Sequence, residues 1–126
     1  MSDAIVPRHD IAAGLPRTYL RPSLLLLLAE APSHGYELLE QLRALGVRMA
    51  EPGGMYRALR SMDEEGLVTS WWEPSHSGPA RRLYVITEAG RLSLTAFAAE
   101  LRDLSGLLDG LLSRLERIAR RTGQDP

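Results

Sequence analysis

Four helix breakers, Pro32, Gly46, Pro52 and Gly66, cut the stretch from Pro22 to Thr87 into short units, and the order of those units leaves few folds open. Pro22 and Ser23 mark a helix start, and the segment from Leu24 to Ala31 has leucine on every face, so it should be buried on most sides. Pro32 ends it. Ser33 has the side chain of an N-cap for a second helix, about His34 to Leu45, which Gly46 closes. At about 100° per residue, Leu38, Leu39, Leu42 and Leu45 share a face with Gly35, while Tyr36 projects opposite, beside Glu40 and Arg43. Pro52 and Gly53 open a third helix through about Glu65. Its inner face is Met55, Ala58, Leu59 and Met62; Arg57, Arg60 and Glu64 point outward and Tyr56 lies on the flank. Gly66 stops that helix. Leu67 to Glu73, rich in Val, Thr and Trp, reads as a strand, Ser75 to Ala80 as a loop, and Arg82 to Ile86 as the return strand.

Helix, turn, helix and hairpin, with arginines near the hairpin tip, is the order of a winged helix-turn-helix with a two-stranded wing. The expected fold class is mostly α with a small β component. Residues 1–21 read as a loosely structured arm, with a helical turn around Asp10 to Leu15, residues 22–87 as the winged unit, and residues 122–126 as a disordered tail. Thr87 is positioned to cap a last helix over residues 88–121, which carries the clearest periodicity in the chain. Leu94, Phe97, Leu101, Leu104, Leu108, Leu111, Leu115 and Ile118 alternate spacings of three and four without a break. Leu92, Leu107 and Leu112 widen the stripe beyond two positions per heptad, which suits a small helix bundle better than a bare two-stranded coil. A homodimer is the economical way to bury such a seam.

Composition bounds the function classes. The chain has 126 residues and a net charge of −1, so bulk attraction to nucleic acid is not available and any DNA binding must come from placed side chains. All 15 cationic residues are arginine, whose planar fork suits phosphates and guanine edges. Without cysteine there is no disulfide framework, thiolate metal site or thiol nucleophile, and the three histidines lack metal-ligand spacing, so neither metal nor cofactor is expected. No paired carboxylates in an apolar setting, glycine-rich phosphate loop or nucleophile–histidine pairing is present, so an enzyme is not expected. The longest apolar run, Leu24 to Ala29, is far shorter than the roughly 20 residues a bilayer needs. Asp3, His9 and Asp10 interrupt any signal peptide, so the expected location is cytoplasmic and no membrane partner is expected.

Major-groove reading needs donors on the outward face of the inserted helix and cations that fix its register on phosphates. Arg57 and Arg60 meet that need; their plainer reading is a solvated face paired with Glu51 or Glu64. Arg81 and Arg82 sit where a wing meets flanking duplex, on opposite sides of the strand. Tyr36 is exposed at a helix start, and Tyr56 has a hydroxyl within reach of a phosphate or of Tyr36. Trp71 and Trp72 face opposite ways; Trp72 is expected to pack the wing onto the domain, and Trp71 to pack, with contact to DNA sugars or a site as its other readings; His34 reads as a helix-start residue and His76 as a loop residue.

These segments resemble the PadR family of bacterial transcriptional regulators over about Leu24 to Ile118. The resemblance rests on L-L-x-E-A-P-S-H-G-Y-E-L, P-G-G-M-Y-R-A-L-R, E-E-G-L-V with Trp72, and R-R-L-Y-V-I-T-E-A-G-R, in that order and spacing. It implies a homodimer that binds double-stranded DNA at an inverted-repeat operator, usually as a repressor released by a small molecule or a stress signal. It gives Tyr56 a family counterpart. It also implies an effector site for a small hydrophobic or aromatic molecule at the dimer interface, where Phe97, Leu101 and Leu104 are the matching positions. Two departures stand out: Gly54 replaces a hydroxyl residue common in the family, and the wing reads Arg81, Arg82, Leu83, Tyr84 rather than R-K-Y-Y. Both bear on affinity and on the sequence read. The competing expectation is a winged-helix protein-interaction module without specific DNA binding, which the near-neutral charge and Gly54 favour.

Overall fold

The computed structural model describes residues 14–123; the arm before Gly14, most of the turn expected around Asp10 to Leu15, and the last three residues of the tail lie outside them. A 3-10 turn, Arg17–Tyr19, leads into α1 (Leu20–Glu30), followed by β1 (Ser33–His34), α2 (Gly35–Leu45), α3 (Pro52–Glu64), β2 (Val68–Ser75), β3 (Gly78–Ile86) and α4 (Glu88–Arg121). The chain is mostly helical, as its patterning requires. Its wing is β2 and β3, joined by a third short strand, in the antiparallel order β1-β3-β2. Two compact units divide after Leu94, so the first turns of α4 belong with the winged unit.

The winged unit is built on leucine. Leu24, Leu25, Leu27 and Leu28 of α1 are buried together with Leu38, Leu39 and Leu42 of α2 and Met55, Leu59 and Met62 of α3. Only Leu26 of the α1 leucine run points out. A fully buried leucine or methionine contributes about 1.5–3 kcal/mol relative to exposure, so this cluster dominates the unit's stability. Val68, Tyr84 and Ile86 close the core from the sheet side. Leu45, expected on the inner face, is exposed. Its angle is right, but it lies on the last turn of α2, beyond the packed leucines.

Ser33 does not cap α2. It is buried in β1 opposite Tyr84, and the residue that flanks the helix is His34, whose backbone N–H donates to Glu37 Oε1 at 3.4 Å. The sequence could not separate a cap from a two-residue strand, because the partner strand lies about fifty residues away. Gly66 ends α3 with φ +78, a left-handed turn that only glycine adopts without strain. β3 starts earlier than expected, at Gly78, because Ser75 pairs with it across an irregular register near the tip.

Polar ties brace the apolar cluster. Arg21 of α1 donates to Ser61 Oγ at 3.0 Å and Glu65 Oε1 at 2.7 Å, and that bond, with Ser61's, holds the Glu65 carboxyl below the usual carboxylate range. Arg43 donates twice to the Ala50 carbonyl, at 3.0 and 2.8 Å, fixing the connector before α3. Thr87 caps α4 as expected: its hydroxyl accepts the Gly90 N–H at 3.1 Å and donates to the Gly66 carbonyl at 2.6 Å. Gly90 is buried there, so that a Cβ would overlap the Leu67 carbonyl and sit 2.6 Å from Ile86 Cγ1. No described helix is long and apolar enough to cross a membrane.

Gly90→Ala should therefore destabilise the fold by about 1–3 kcal/mol, despite alanine's higher helix propensity. Urea unfolding of the two proteins checks this; equal midpoints would mean that the Leu67 carbonyl yields freely.

Candidate nucleic-acid interface

The start of α2, the flank of α3 and the wing converge on one cleft of about 400 Å³. Four of the six side chains expected to contact DNA line it: Tyr36, Tyr56, Arg81 and Arg82. Tyr36 is 72% exposed and Tyr56 45%, so both phenol rings present surface to solvent. Gly35 is what lets Tyr56 lie there. It is buried, and any Cβ on it would overlap the Tyr56 hydroxyl. The small residue that allows close packing at the start of α2 thus receives a tyrosine ring rather than helix backbone.

Arg57 and Arg60 are exposed on α3 but do not line this cleft. Arg57 borders a smaller hollow of about 110 Å³ with Arg17, Met49, Glu51 and Gly54. Its guanidinium folds back toward the helix start, where a Cβ on Gly53 would stand 3.3 Å from one terminal nitrogen and one on Gly54 3.8 Å from the other. The hydroxyl missing at Gly54 is thus replaced by open space beside an arginine. Arg60 is placed on the wing side, near enough to act electrostatically on Tyr84. Burial is the main cause that pushes the Tyr84 hydroxyl above its ordinary range; Tyr56 and Asp63 add to the rise, while Arg82 and Arg60 oppose it.

Two features of the wing depart from expectation. Trp72, expected to pack the wing onto the domain, is 63% exposed and carries the Arg82 guanidinium over its ring at 5.3 Å. Trp71, on the other face, is also exposed. The reason is register: Trp72 is the direct cross-strand partner of Arg82, near the tip and past the last buried rung, so the indole has an arginine instead of a core to lie against. Arg82 is held further, since its Nε donates to Ser70 Oγ at 2.9 Å and Ser70 Oγ donates to Asp63 Oδ2 of α3 at 3.1 Å.

His34 does more than start a helix. Its Nδ1 lies 3.1 Å from Glu37 Oε1 and its Nε2 2.9 Å from Glu73 Oε1, bridging α2 to the wing strand. An imidazole donates through both nitrogens only when doubly protonated, so the tautomer decides which tie is a hydrogen bond in the neutral ring. The bond to His34 holds the Glu37 carboxyl below its usual range, helped by the His34 backbone N–H and by the charge of Arg81. Glu73 is opposite Arg81 in the strand register. Trp72, Ser70, Asp63 and the His34 bridge were not identified from sequence as a site. Strand alternation placing Ser70 and Trp72 beside Tyr84 and Arg82 is the signal that could have found the first two.

The lining is aromatic and cationic. Arginine forks and aromatic rings of this kind suit phosphates and base or sugar edges. No group of three or more potential metal ligands is placed to hold an ion among the described residues.

The eight seam positions on α4 divide. Leu94 packs against the core of the winged unit, and Phe97 is half-buried. Leu101 and Leu104 are each 39% exposed, and Leu108, Leu111, Leu115 and Ile118 more than half exposed.

Comparison with known proteins agrees with this architecture. The model of the transcriptional regulator PadR-like family matches residues 24–96. Transcriptional regulator Rv3488 of Mycobacterium tuberculosis is 34% identical over 89 residues, which cover 71% of this chain and 81% of that protein. A PadR family transcription regulator from hypervirulent Clostridium difficile R20291 superposes with a TM-score of 0.69 at 26% identity, over 75% of this chain and 98% of the other. The PadR-like regulator BC4206 of Bacillus cereus gives a TM-score of 0.69 at 28% identity, over 76% and 93%.

Because the Glu37 carboxylate is stabilised by its partner, that stabilisation is present above the ordinary carboxylate range and is lost as pH falls through the lowered value. Replacing the partner, as in His34→Ala, should move the Glu37 titration upward toward the ordinary value. Carbon-detected NMR of the side-chain carboxyl reads this, and an unmoved midpoint would show that His34 is not its determinant.

Proposed function

The chain belongs to the transcriptional regulator PadR-like family, and on that premise we propose that it acts as a homodimeric repressor at an inverted-repeat operator. The observation that carries the reading is the convergence of Tyr36, Tyr56, Arg81 and Arg82 on one cleft beside the outward face of α3. In this reading α3 enters the major groove, Arg57 and Arg60 supply its donors, and the wing arginines grip phosphates of the flanking duplex. The two tyrosines fix the register of the helix start. A chain of net charge −1 gains little from bulk attraction, so these few placed cations carry the electrostatic contribution. Arg57→Ala should cost about 1–3 kcal/mol of specific binding and relax preference at one operator position.

The second half of the reading is dimerisation through α4. Six large apolar side chains from Leu101 to Ile118 stay exposed in the single chain at heptad spacing, and a second copy of the same helix offers a matching stripe. Two such copies related by a twofold axis would present two α3 helices to half-sites about 10–10.5 base pairs apart, or a multiple of that. Release of the operator is assigned to a small hydrophobic or aromatic effector seated beside Phe97, Leu101 and Leu104, where only apolar contacts would hold it.

The testing experiment retains fragmented genomic DNA from the source organism on the purified protein at near-physiological salt and sequences what is held. A few enriched sites sharing an inverted repeat are expected. Diffuse retention that vanishes with modest salt would overturn specific binding and favour a protein-interaction module instead. Separately, Leu111→Asp should shift the protein to a destabilised monomer by analytical ultracentrifugation; a dimer that survives this substitution would place the interface elsewhere.

A further inference from the structure

We infer that Asp63, an acidic residue on α3, is a positioning residue for DNA binding, because through Ser70 it holds Arg82 on Trp72 and so locks the wing to the recognition helix. The inference rests on the DNA-binding reading given above. Its geometry is a directed chain. Arg82 Nε donates to Ser70 Oγ, and Ser70 Oγ donates to Asp63 Oδ2. A serine hydroxyl has a single hydrogen, so the bond to Asp63 turns that hydrogen away and leaves a lone pair facing Arg82. Asp63 thus sets the rotor of Ser70, and Ser70 sets the angle of the guanidinium. The Trp72 ring supports the guanidinium from one face at 5.3 Å.

The lock uses only one of the arginine's donors. Among the described residues the terminal nitrogens of Arg82 make no hydrogen bond, and the residue lines the cleft that also holds Tyr36, Tyr56 and Arg81. A guanidinium fixed through Nε presents its two terminal nitrogens as a preformed fork, the geometry that grips a phosphate or a guanine edge. Long arginine side chains lose rotamer freedom on binding, and an arginine already held loses less. The same chain ties β2 and β3 to the last turn of α3, so helix and wing meet the duplex as one body.

Simple electrostatics predicts the opposite sign. Asp63 is a half-buried carboxylate beside a surface that must approach a polyanion, so removing it should tighten binding if charge alone counts. Positioning predicts weaker binding, and the sign separates the two.

The test is a double-mutant cycle on an operator fragment recovered by the wild-type protein, combining Asp63→Ala with Arg82→Ala, and with Asp63→Asn as the conservative variant. Alanine is a good helix former, so the substitution leaves the α3 backbone undisturbed. Asp63→Ala should weaken binding about fivefold, the net worth of one hydrogen bond, and have no further effect once Arg82 is alanine. Asp63→Asn keeps an acceptor for the Ser70 hydroxyl and should restore most of the loss. A second readout needs no DNA. Trp71 and Trp72 are the only tryptophans, so in a Trp71→Phe background acrylamide quenching of Trp72 reports the stack directly, and Asp63→Ala should raise it to the level of Arg82→Ala. Tighter binding by Asp63→Ala and Asp63→Asn alike, in both Arg82 backgrounds, with unchanged quenching, would overturn the inference while leaving the DNA-binding reading in place. Failure of the wild-type protein to select any site would overturn that reading, and this role with it.

Discussion

Burial of Met55, Leu59 and Met62 of α3 against the leucines of α1 and α2 is the constraint on which the rest of the winged unit depends. Those three side chains are almost wholly removed from water, and they occupy one stripe of a helix that turns every 3.6 residues. Once that stripe is inside, Arg57 and Arg60 have no choice but the opposite side. The orientation of the candidate recognition surface is thus a by-product of core packing. The same reasoning explains why α1, which contributes nothing to the cleft, is the most leucine-rich element: it is the platform against which α3 is aimed.

Apolar packing sets direction but not the fine placement of the wing. That is left to a few polar ties between elements: Thr87 on the Gly66 carbonyl, Ser70 on Asp63, and His34 on Glu73. They join a strand or its end to a helix, a helix end or another strand, and each lies near the surface, where a hydrogen bond contributes about 0.5–1.5 kcal/mol. Individually they are weak beside the core. Their effect is to reduce the number of positions the wing can take, and it matters most where an arginine must meet a phosphate within hydrogen-bond distance.

Element order, helix boundaries to within about two residues and the cap at Thr87 were legible in the chain, because each rests on local chemistry: breakers, period and caps. The outward placement of Arg57, Arg60 and Tyr36 followed from period alone. What could not be read depends on partners distant in sequence. The two-residue strand at Ser33 exists only because β3 lies beside it. The exposed Trp72 was expected to pack, since large aromatics usually do; its actual support is a single arginine across the strand pair. Likewise, the room that Gly35 leaves is filled by Tyr56, twenty-one residues later. Strand register, not composition, decides these cases, and register is fixed by the sum of contacts in the folded unit.

The α4 stripe poses a problem of a different kind. Leu101 to Ile118 lie in a compact unit of their own, and that unit is one helix. A helix alone has no second surface on which to bury an apolar face, and most helical stability in proteins comes from such burial rather than from propensity. Gly106 and Gly110 make the isolated helix weaker still, by up to about 1 kcal/mol each relative to alanine. Nothing lies within 4 Å of where a Cβ on either would stand, so within one chain these glycines make room for no neighbour. At about 100° per residue both fall on the side of the helix opposite Leu101, Leu104, Leu108 and Leu111, so whatever covers the stripe does not offset their cost. In the proposed dimer an equal helix from a second copy would supply the missing apolar surface. The element least able to stand alone is thus the one that would hold the two copies of the proposed dimer together.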